Sequence, residues 1–256
     1  MKLLQPISRR FVLLLLFFGY LPTPTQAQLP GECVDVPMQC QDSILSACLQ
    51  TRFAKAMQFE MQFYLMRPFP RNFYELIDSN IAMLNEAFKG KIEFLAKEEV
   101  VVLETAITLN DLYYDYLGDQ QVFSELRKEL RAGQINVVLT NTVEDTVKGT
   151  VLLGFTPVFS DWNEGFAKQS PLMDNMLISW EGMDKGTTLI HEMGHFMSLA
   201  HPWQLSYADR KRLQLESERS ICTNFMNYNC FVNQFTPGQL LQMHWFARNY
   251  RSYLMN

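Results

Sequence analysis

The stretch HEMGHFMSLAH, residues 191–201, contains three of the four histidines in the chain. His191 and His195 are four residues apart, and His201 follows six residues after His195. Apolar residues at helical spacing surround the first two histidines, so the pattern predicts a helix with Thr187 as its N-cap. Side chains four residues apart on a helix lie one turn apart on the same face. The two imidazoles are therefore expected to lie side by side.

This spacing is typical of a metal site. Two imidazole nitrogens one turn apart can bind the same tetrahedral zinc ion, at about 2.0–2.1 Å each. Glu192, next to the first histidine, is placed to contact a metal-bound water rather than the metal, and could take its proton as the water attacks a carbonyl. The same HExxH pattern also fits histidines in an ordinary helical core. His201 favours the metal site, because the chain must leave the helix and turn back to bring it there.

Two features downstream extend the pattern. The segment CTNFMNYNC, residues 222–230, supplies Met226 and, two residues later, Tyr228. The segment FTPGQLLQM, residues 235–243, has the composition of a capped helix start, so a C-terminal helix is expected. The residues of this start are the N-cap Thr236, Pro237 at the first helical position, Gln239 as the capping-box partner, and Phe235 with Leu240 as the hydrophobic staple.

Apolar patterns along the rest of the chain predict an α+β fold with a twisted, mixed, mostly parallel sheet. The alternation in FEMQFYLM, 59–66, indicates a half-buried strand, and the β-branched run INVVLT, 135–140, indicates a buried one. Helices are expected after Asn72, with Glu75 in capping-box position, and over 120–131 after Asp119. The other predicted strands are 91–95, 100–105, 151–156 and 175–180.

The N-terminus predicts export. A basic start, the apolar run 11–20 and a small residue at Ala27 are typical of a signal peptide, residues 1–27, in a secreted or periplasmic protein. Residues 28–55 are interpreted as an N-terminal extension or pro-segment, and no later stretch is long and apolar enough to span a membrane. The net charge of −5 argues against nucleic acid or an anionic membrane as a partner.

Five cysteines follow the predicted signal peptide, and export permits disulfides. Cys222 and Cys230 are close in sequence and are the best candidates for a bridge. The pairing of Cys33, Cys40 and Cys48 stays open, and the odd count leaves at least one thiol unpaired or paired between chains. One hypothesis is that a cysteine of this N-terminal group binds zinc as a thiolate in a latent form.

The histidine segment, NFMNY and FTPGQ, in this order, resemble the pappalysin family of metzincin zinc proteases. The resemblance covers residues 56–256 and is dense in 184–243. It implies a metzincin catalytic domain over 56–256, a protein or peptide substrate, and an extended substrate paired with the strand around 152–156. It also implies residue roles: zinc ligands His191, His195 and His201, general base Glu192, a hydrophobic floor at Met226, and oxyanion stabilisation by Tyr228.

The sequence departs from this family at three points. Ser198 stands where glycine is usual, at a helix end that tends to need a left-handed backbone. Only Asn229 separates Tyr228 from Cys230, so a preference for basic side chains is not carried over. The calcium-binding carboxylates of the family have no match, which leaves calcium possible but unsupported.

Two alternatives remain open at this point. One is a secreted zinc-binding protein that has lost catalysis on a metzincin scaffold, and Ser198 and the shortened loop motivate it. The other is a metal-dependent amidase that acts on a non-peptide substrate. His244, the fourth histidine, is interpreted as a polar residue of the last helix, because its spacing pairs it with none of the other three.

Overall fold

The structure is a computed structural model that describes residues 56–117, 121–142, 144–145, 150–156, 174–228 and 232–255. The predicted signal peptide, residues 28–55 and their three cysteines lie outside the described residues, as do Asp119, Asn229 and Cys230. The hypotheses that rest on them stay predictions.

The described residues form an α+β fold around a six-stranded mixed sheet, as predicted. The strand order is β2-β1-β4-β8-β7, and β3 pairs with β1 beyond the end of β2. Every pairing is parallel except that of β7 with β8, which places a short antiparallel strand at the edge. The strands are β1 Met57–Met66, β2 Ile92–Ala96, β3 Val101–Leu103, β4 Ile135–Thr140, β7 Gly154–Phe155 and β8 Asn175–Ser179, and a separate hairpin joins β5 Glu144–Asp145 to β6 Thr150–Val151.

Several of the described helices bury side chains in the core around this sheet. The helices are α1 Phe73–Ala87, α2 Leu109–Leu117, α3 Gln121–Glu129, α4 Trp180–Lys185, α5 Thr188–Phe196, α6 Tyr207–Arg212, α7 Glu218–Cys222 and α8 Pro237–Tyr250. Short 3-10 turns follow His201, at Pro202–Gln204, and end the described chain, at Ser252–Leu254. Within the described residues, no helix has both the length and the apolar composition to cross a bilayer.

The central strand β1 differs from its prediction. It was expected to be half-buried, but side chains on both of its faces are buried: Phe63 contributes to one apolar cluster and Tyr64 to the other. Gln62 is also buried, and its amide donates to the carbonyl of Glu99. The strand lies in the middle of the sheet with parallel neighbours on both sides, and such strands are covered on both faces.

The prediction of one continuous strand over 151–156 is also wrong. The structure divides this segment into β6 and β7, which pair with different partners. Helices α2, α4, α6 and α7 were not predicted. For α4 the local signal is a cap: the Ser179 hydroxyl, at the end of β8, accepts the N–H of Gly182 at 3.0 Å.

Capping was predicted with mixed success. At α8, Thr236 accepts the Gln239 N–H at 3.2 Å, and the Gln239 side chain accepts the Thr236 N–H at 3.0 Å, which confirms the capping box. Phe235 and Leu240 are both buried in the main core. Asn72 and Thr187 stand at the starts of α1 and α5, but neither side chain makes a capping hydrogen bond.

Candidate metal centre

Helix α5 carries His191 and His195, and every residue of this helix is buried. The helix ends in a Schellman turn, in which the Leu199 N–H donates to Gly194 and the Ser198 N–H donates to His195, both at 2.9 Å. Ser198 has φ 72°, the left-handed conformation that this turn requires. The serine therefore adopts the backbone that glycine would adopt more easily, and the chain reverses after Met197.

The reversal brings His201 to the two helical histidines. Its Nε2 lies 3.1 Å from Nε2 of His195 and 3.3 Å from Nε2 of His191. The three residues are the group of potential metal ligands found among the described residues, and no carboxylate belongs to it. Their nitrogens are close enough to bind a single metal ion.

Hydrogen bonds on the outer side of the cluster fix how each ring is protonated. Nδ1 of His191 lies 2.7 Å from the Phe225 carbonyl oxygen, and Nδ1 of His195 lies 2.8 Å from that of Leu199. A carbonyl oxygen only accepts, so both Nδ1 atoms carry the proton and donate. Nδ1 of His201 donates to Oε1 of Gln204 at 3.0 Å, and this oxygen also accepts the His201 N–H. Each neutral ring therefore turns an unprotonated Nε2 towards the other two.

Burial keeps these rings neutral. It lowers the pKa of His191 to about 4 and that of His195 to about 3, and the neighbouring histidines act in the same direction. Burial also lowers the pKa of His201, against the opposing effect of Gln204. Neutral imidazole is the form that binds a metal ion. At neutral pH the three rings are thus ready to act as ligands.

The Glu192 side chain extends from α5 towards the edge strand β7, and its carboxylate is not part of the group of candidate metal ligands. Its Oε2 accepts a hydrogen bond from the Thr156 hydroxyl at 2.8 Å, and Thr156 directly follows β7. A Cβ on Gly154 would come within 3.0 Å of the Glu192 side chain, so glycine lets β7 approach it closely. Burial raises the pKa of Glu192 to about 8, while the Thr156 hydrogen bond acts in the opposite direction.

Met226 forms the floor beneath α5. Its side chain is fully buried and packs against Gly194, where any Cβ would overlap the Met226 sulfur. The turn is tied to α8 by two amides: Asn224 Nδ2 donates to Gln239 Oε1 at 2.6 Å, and Gln239 Nε2 donates to Asn224 Oδ1 at 3.0 Å. Because Phe225 lies in this turn, the C-terminal helix also positions the carbonyl that holds His191.

Two exposed rings adjoin the histidines. The Tyr228 ring centroid lies 4.8 Å from those of His191 and His201, and the Trp203 ring stacks on His201 at 4.4 Å. Partial burial beside the histidines raises the pKa of Tyr228, and the charge of Glu192 adds to this effect. The phenol therefore keeps its proton and can donate a hydrogen bond.

The structure brings together six of the predicted site residues: the three histidines, Glu192, Met226 and Tyr228. The disulfide between Cys222 and Cys230 stays a prediction. His244 is a buried residue of α8, outside the histidine group, and burial with the charges of Arg248 and Lys91 lowers its pKa to about 4.

Sequence reasoning missed the supporting residues: Thr156, Gln204, Trp203, and the Asn224–Gln239 pair. Gln204 had a local signal, because it stands three residues after His201 and can reach back to it. Trp203 also lies close in sequence to the ring it stacks on, whereas Thr156 and the Asn224–Gln239 pair depend on contacts between segments that are further apart in the chain.

The sequence matches no protein-family model and no curated protein. Among solved structures, the chain is similar to one described as "Structure of a chaperone-substrate complex", at 12% identity and a TM-score of 0.39. The alignment covers 77% of this chain and 34% of that one, so this chain spans about a third of its length. A likeness this weak carries no argument about function. The fold and site define an α+β protein with a three-histidine candidate metal centre.

Proposed function

We propose that this protein is a zinc-dependent endopeptidase with a metzincin fold, exported from the cell. One observation carries the proposal: three neutral histidines direct their Nε2 atoms at one point, beside a buried glutamate at the edge of a sheet. The resemblance of the histidine, NFMNY and FTPGQ segments to the pappalysins supports the same activity. The antiparallel edge strand β7 supports it too, since an extended peptide can add to such an edge.

The spacing of the nitrogens favours zinc. Ligands at about 2.0–2.1 Å in a tetrahedron lie roughly 3.3 Å from one another. The two Nε2 separations measured to His201 are 3.1 and 3.3 Å. Three histidines with a remaining open position are typical of catalytic rather than structural zinc. The outward hydrogen bonds at each Nδ1 are the usual support for such ligands.

Bound zinc would polarise the carbonyl of the substrate and make the attacking water more acidic. The residues of the chain supply the rest of the chemistry. Glu192, which α5 places beside the candidate ligands, takes the proton of the water and delivers it to the leaving amine. Thr156 holds the carboxylate in place, and Tyr228 donates a hydrogen bond to the oxyanion that develops.

The test is Glu192→Gln, which keeps the shape of the side chain but removes the base. We expect full zinc content by elemental analysis, and cleavage of casein to fall by about 100-fold or more, as for loss of a general base. A matched control is Glu181→Gln, on the exposed side of α4, which should keep both zinc and activity. Undiminished proteolysis by Glu192→Gln would rule out this mechanism.

The alternative of zinc binding without catalysis rested on Ser198 and the short loop. The Schellman turn forms with serine, and Glu192 is held beside the histidines, so neither the ligand geometry nor the base favours that alternative. Zinc bound in full, with no protein cleaved by the unaltered chain, would instead support it or the amidase on a non-peptide substrate.

A further inference from the structure

The chain places a large exposed ring directly beside the third histidine. The 3-10 turn Pro202–Gln204 sets the Trp203 indole parallel to the His201 imidazole, with 4.4 Å between centroids and 6° between planes. One face of the indole is thus covered by His201. Even so, 53% of the Trp203 side chain is exposed.

Tyr228 continues this surface from a different segment. Its ring centroid lies 5.4 Å from that of Trp203, and 63% of its side chain is exposed. The two rings come from the turn after His201 and from the Met226 turn, and they meet next to the three Nε2 atoms. Exposed aromatic surface beside a group of polar side chains is typical of a binding surface.

The segments that carry the two rings have no formal charge. Residues 202–208 and 223–228 contain no Asp, Glu, Lys or Arg. A lysine or arginine side chain of a substrate would lie beside a divalent cation with no carboxylate from these segments to balance it. An acidic side chain would meet no lysine or arginine from these segments, and the negative faces of the two rings would repel its carboxylate. An apolar side chain carries no charge that would need a partner here, and it gains free energy by burying its surface against the two rings.

We propose that Trp203 and Tyr228 form an aromatic wall that binds an aromatic or large aliphatic side chain next to the cleaved peptide bond. This specificity rests on the proposed function, because it concerns the substrate of the same site. It assigns to the enzyme a preference for apolar residues beside the scissile bond.

The experiment measures binding apart from catalysis. Zinc-loaded Glu192→Gln protein is titrated with short, fluorescently labelled alanine-based peptides that carry one Phe, Leu, Lys or Glu at successive positions. At one position, we expect Phe or Leu to bind about 10-fold or more tightly than Ala, Lys or Glu, the usual discrimination by an apolar pocket. In the same background, Trp203→Ala should abolish this preference, and Trp203→Phe should keep most of it.

Two controls separate the wall from general effects. Tyr207→Ala removes a ring of similar exposure that, among the described residues, contacts none of the three histidines, and it should change nothing. The ratio of Phe to Ala affinity is taken within each variant, so a change in zinc content cancels. An unchanged ratio in Trp203→Ala, or a preference for Lys or Glu, would overturn the proposal.

The measurements distinguish refutation of the aromatic wall from refutation of the proposed peptidase activity. If the unaltered protein cleaves peptides but its Phe preference does not depend on Trp203, the endopeptidase stands and the wall is refuted. If no peptide is cleaved but apolar peptides bind through Trp203, the wall stands on a protein that is not a peptidase.

Discussion

Two polar clusters are buried against the same helix, and they are balanced in opposite ways. Arg251 lies with its guanidinium 4.1 Å above the Phe196 ring, at the end of α5. It donates to Asp174 at 2.6 Å, and the Tyr253 hydroxyl donates to the same carboxylate oxygen. The Arg251 guanidinium is therefore paired with a carboxylate of the same chain. The histidine cluster has three acceptors that face one another at 3.1 and 3.3 Å, with every ring proton directed outwards.

This difference separates a cluster whose charges are paired within the chain from one that could bind a metal ion. Buried polar groups are normally paired, because an unpaired one loses its hydrogen bonds to water. In the Arg251 cluster, the buried charges are paired within the chain, because Arg251 Nη1 lies 2.6 Å from the Asp174 carboxylate. In the histidine cluster, a cation between the Nε2 atoms would meet this requirement, and the three rings are close enough to bind one. Each prediction below changes one side of this comparison.

The largest effect is expected when the balanced cluster is broken. Arg251→Ala leaves the Asp174 carboxylate buried without its partner, which should lower the free energy of unfolding by about 3–5 kcal/mol in urea denaturation. The control is Arg212→Ala, which breaks the exposed pair with Asp209 and should cost less than about 1 kcal/mol.

A second variant tests the reason for this loss. Replacing both partners by apolar residues, in Asp174→Leu/Arg251→Met, should recover most of the stability, since no charge is left unpaired. If Arg251→Ala unfolds no more easily than Arg212→Ala, the ion pair does not stabilise the core and the comparison fails.

A smaller effect is expected at the support of His201. Gln204→Ala removes the acceptor of its Nδ1 proton, and loss of such a partner lowers metal affinity by about 10–100-fold. Competition with a chromophoric zinc chelator measures this change. Gln204→Glu should restore the affinity because it restores an acceptor, and Gln58→Ala, on an exposed part of β1, should have no effect. Equal affinities for Gln204→Ala and the unaltered protein would show that His201 needs no such support.

The smallest effect is expected at the turn between α5 and His201. Ser198→Gly relieves the strain of a left-handed serine and should stabilise the protein by about 1 kcal/mol. For a domain of this size, this corresponds to a rise in Tm of about 2–4 °C. Gln214→Gly, at another left-handed position, should stabilise the protein similarly, and only Ser198 lies within the metal-binding segment. A loss of stability in Ser198→Gly would show that the serine side chain is needed there.

The sequence predicted much of the scaffold because its signals are local. The 3.6-residue period of α1 and α5, the β-branched run of β4 and the capping box of α8 each depend on residues within one or two turns. One face of β1 was predicted correctly and the other was misjudged, because the alternation does not reveal that a second set of helices covers the polar-looking face. The boundary between β6 and β7 was missed because it depends on which strand each segment pairs with.

For the candidate site, the sequence by itself determined the identity of the residues. The spacing of His191, Glu192, His195 and His201, with Met226 and Tyr228 downstream, was sufficient to predict a metal centre and its base. The left-handed turn at Ser198 was also expected, since a helix must end there for His201 to return.

Only the tertiary structure decided how these residues are held and what surrounds them. The Phe225 carbonyl reaches His191 across 34 residues, and Thr156 reaches Glu192 across 36. Trp203 and Tyr228 likewise meet from separate turns. Such contacts follow from the packing of β7, α5 and α8 rather than from any period in the sequence. The candidate ligands, and the hydrogen bonds that orient His195 and His201, are therefore encoded locally, whereas the support of His191 and Glu192 and the aromatic wall arise only when distant segments pack together.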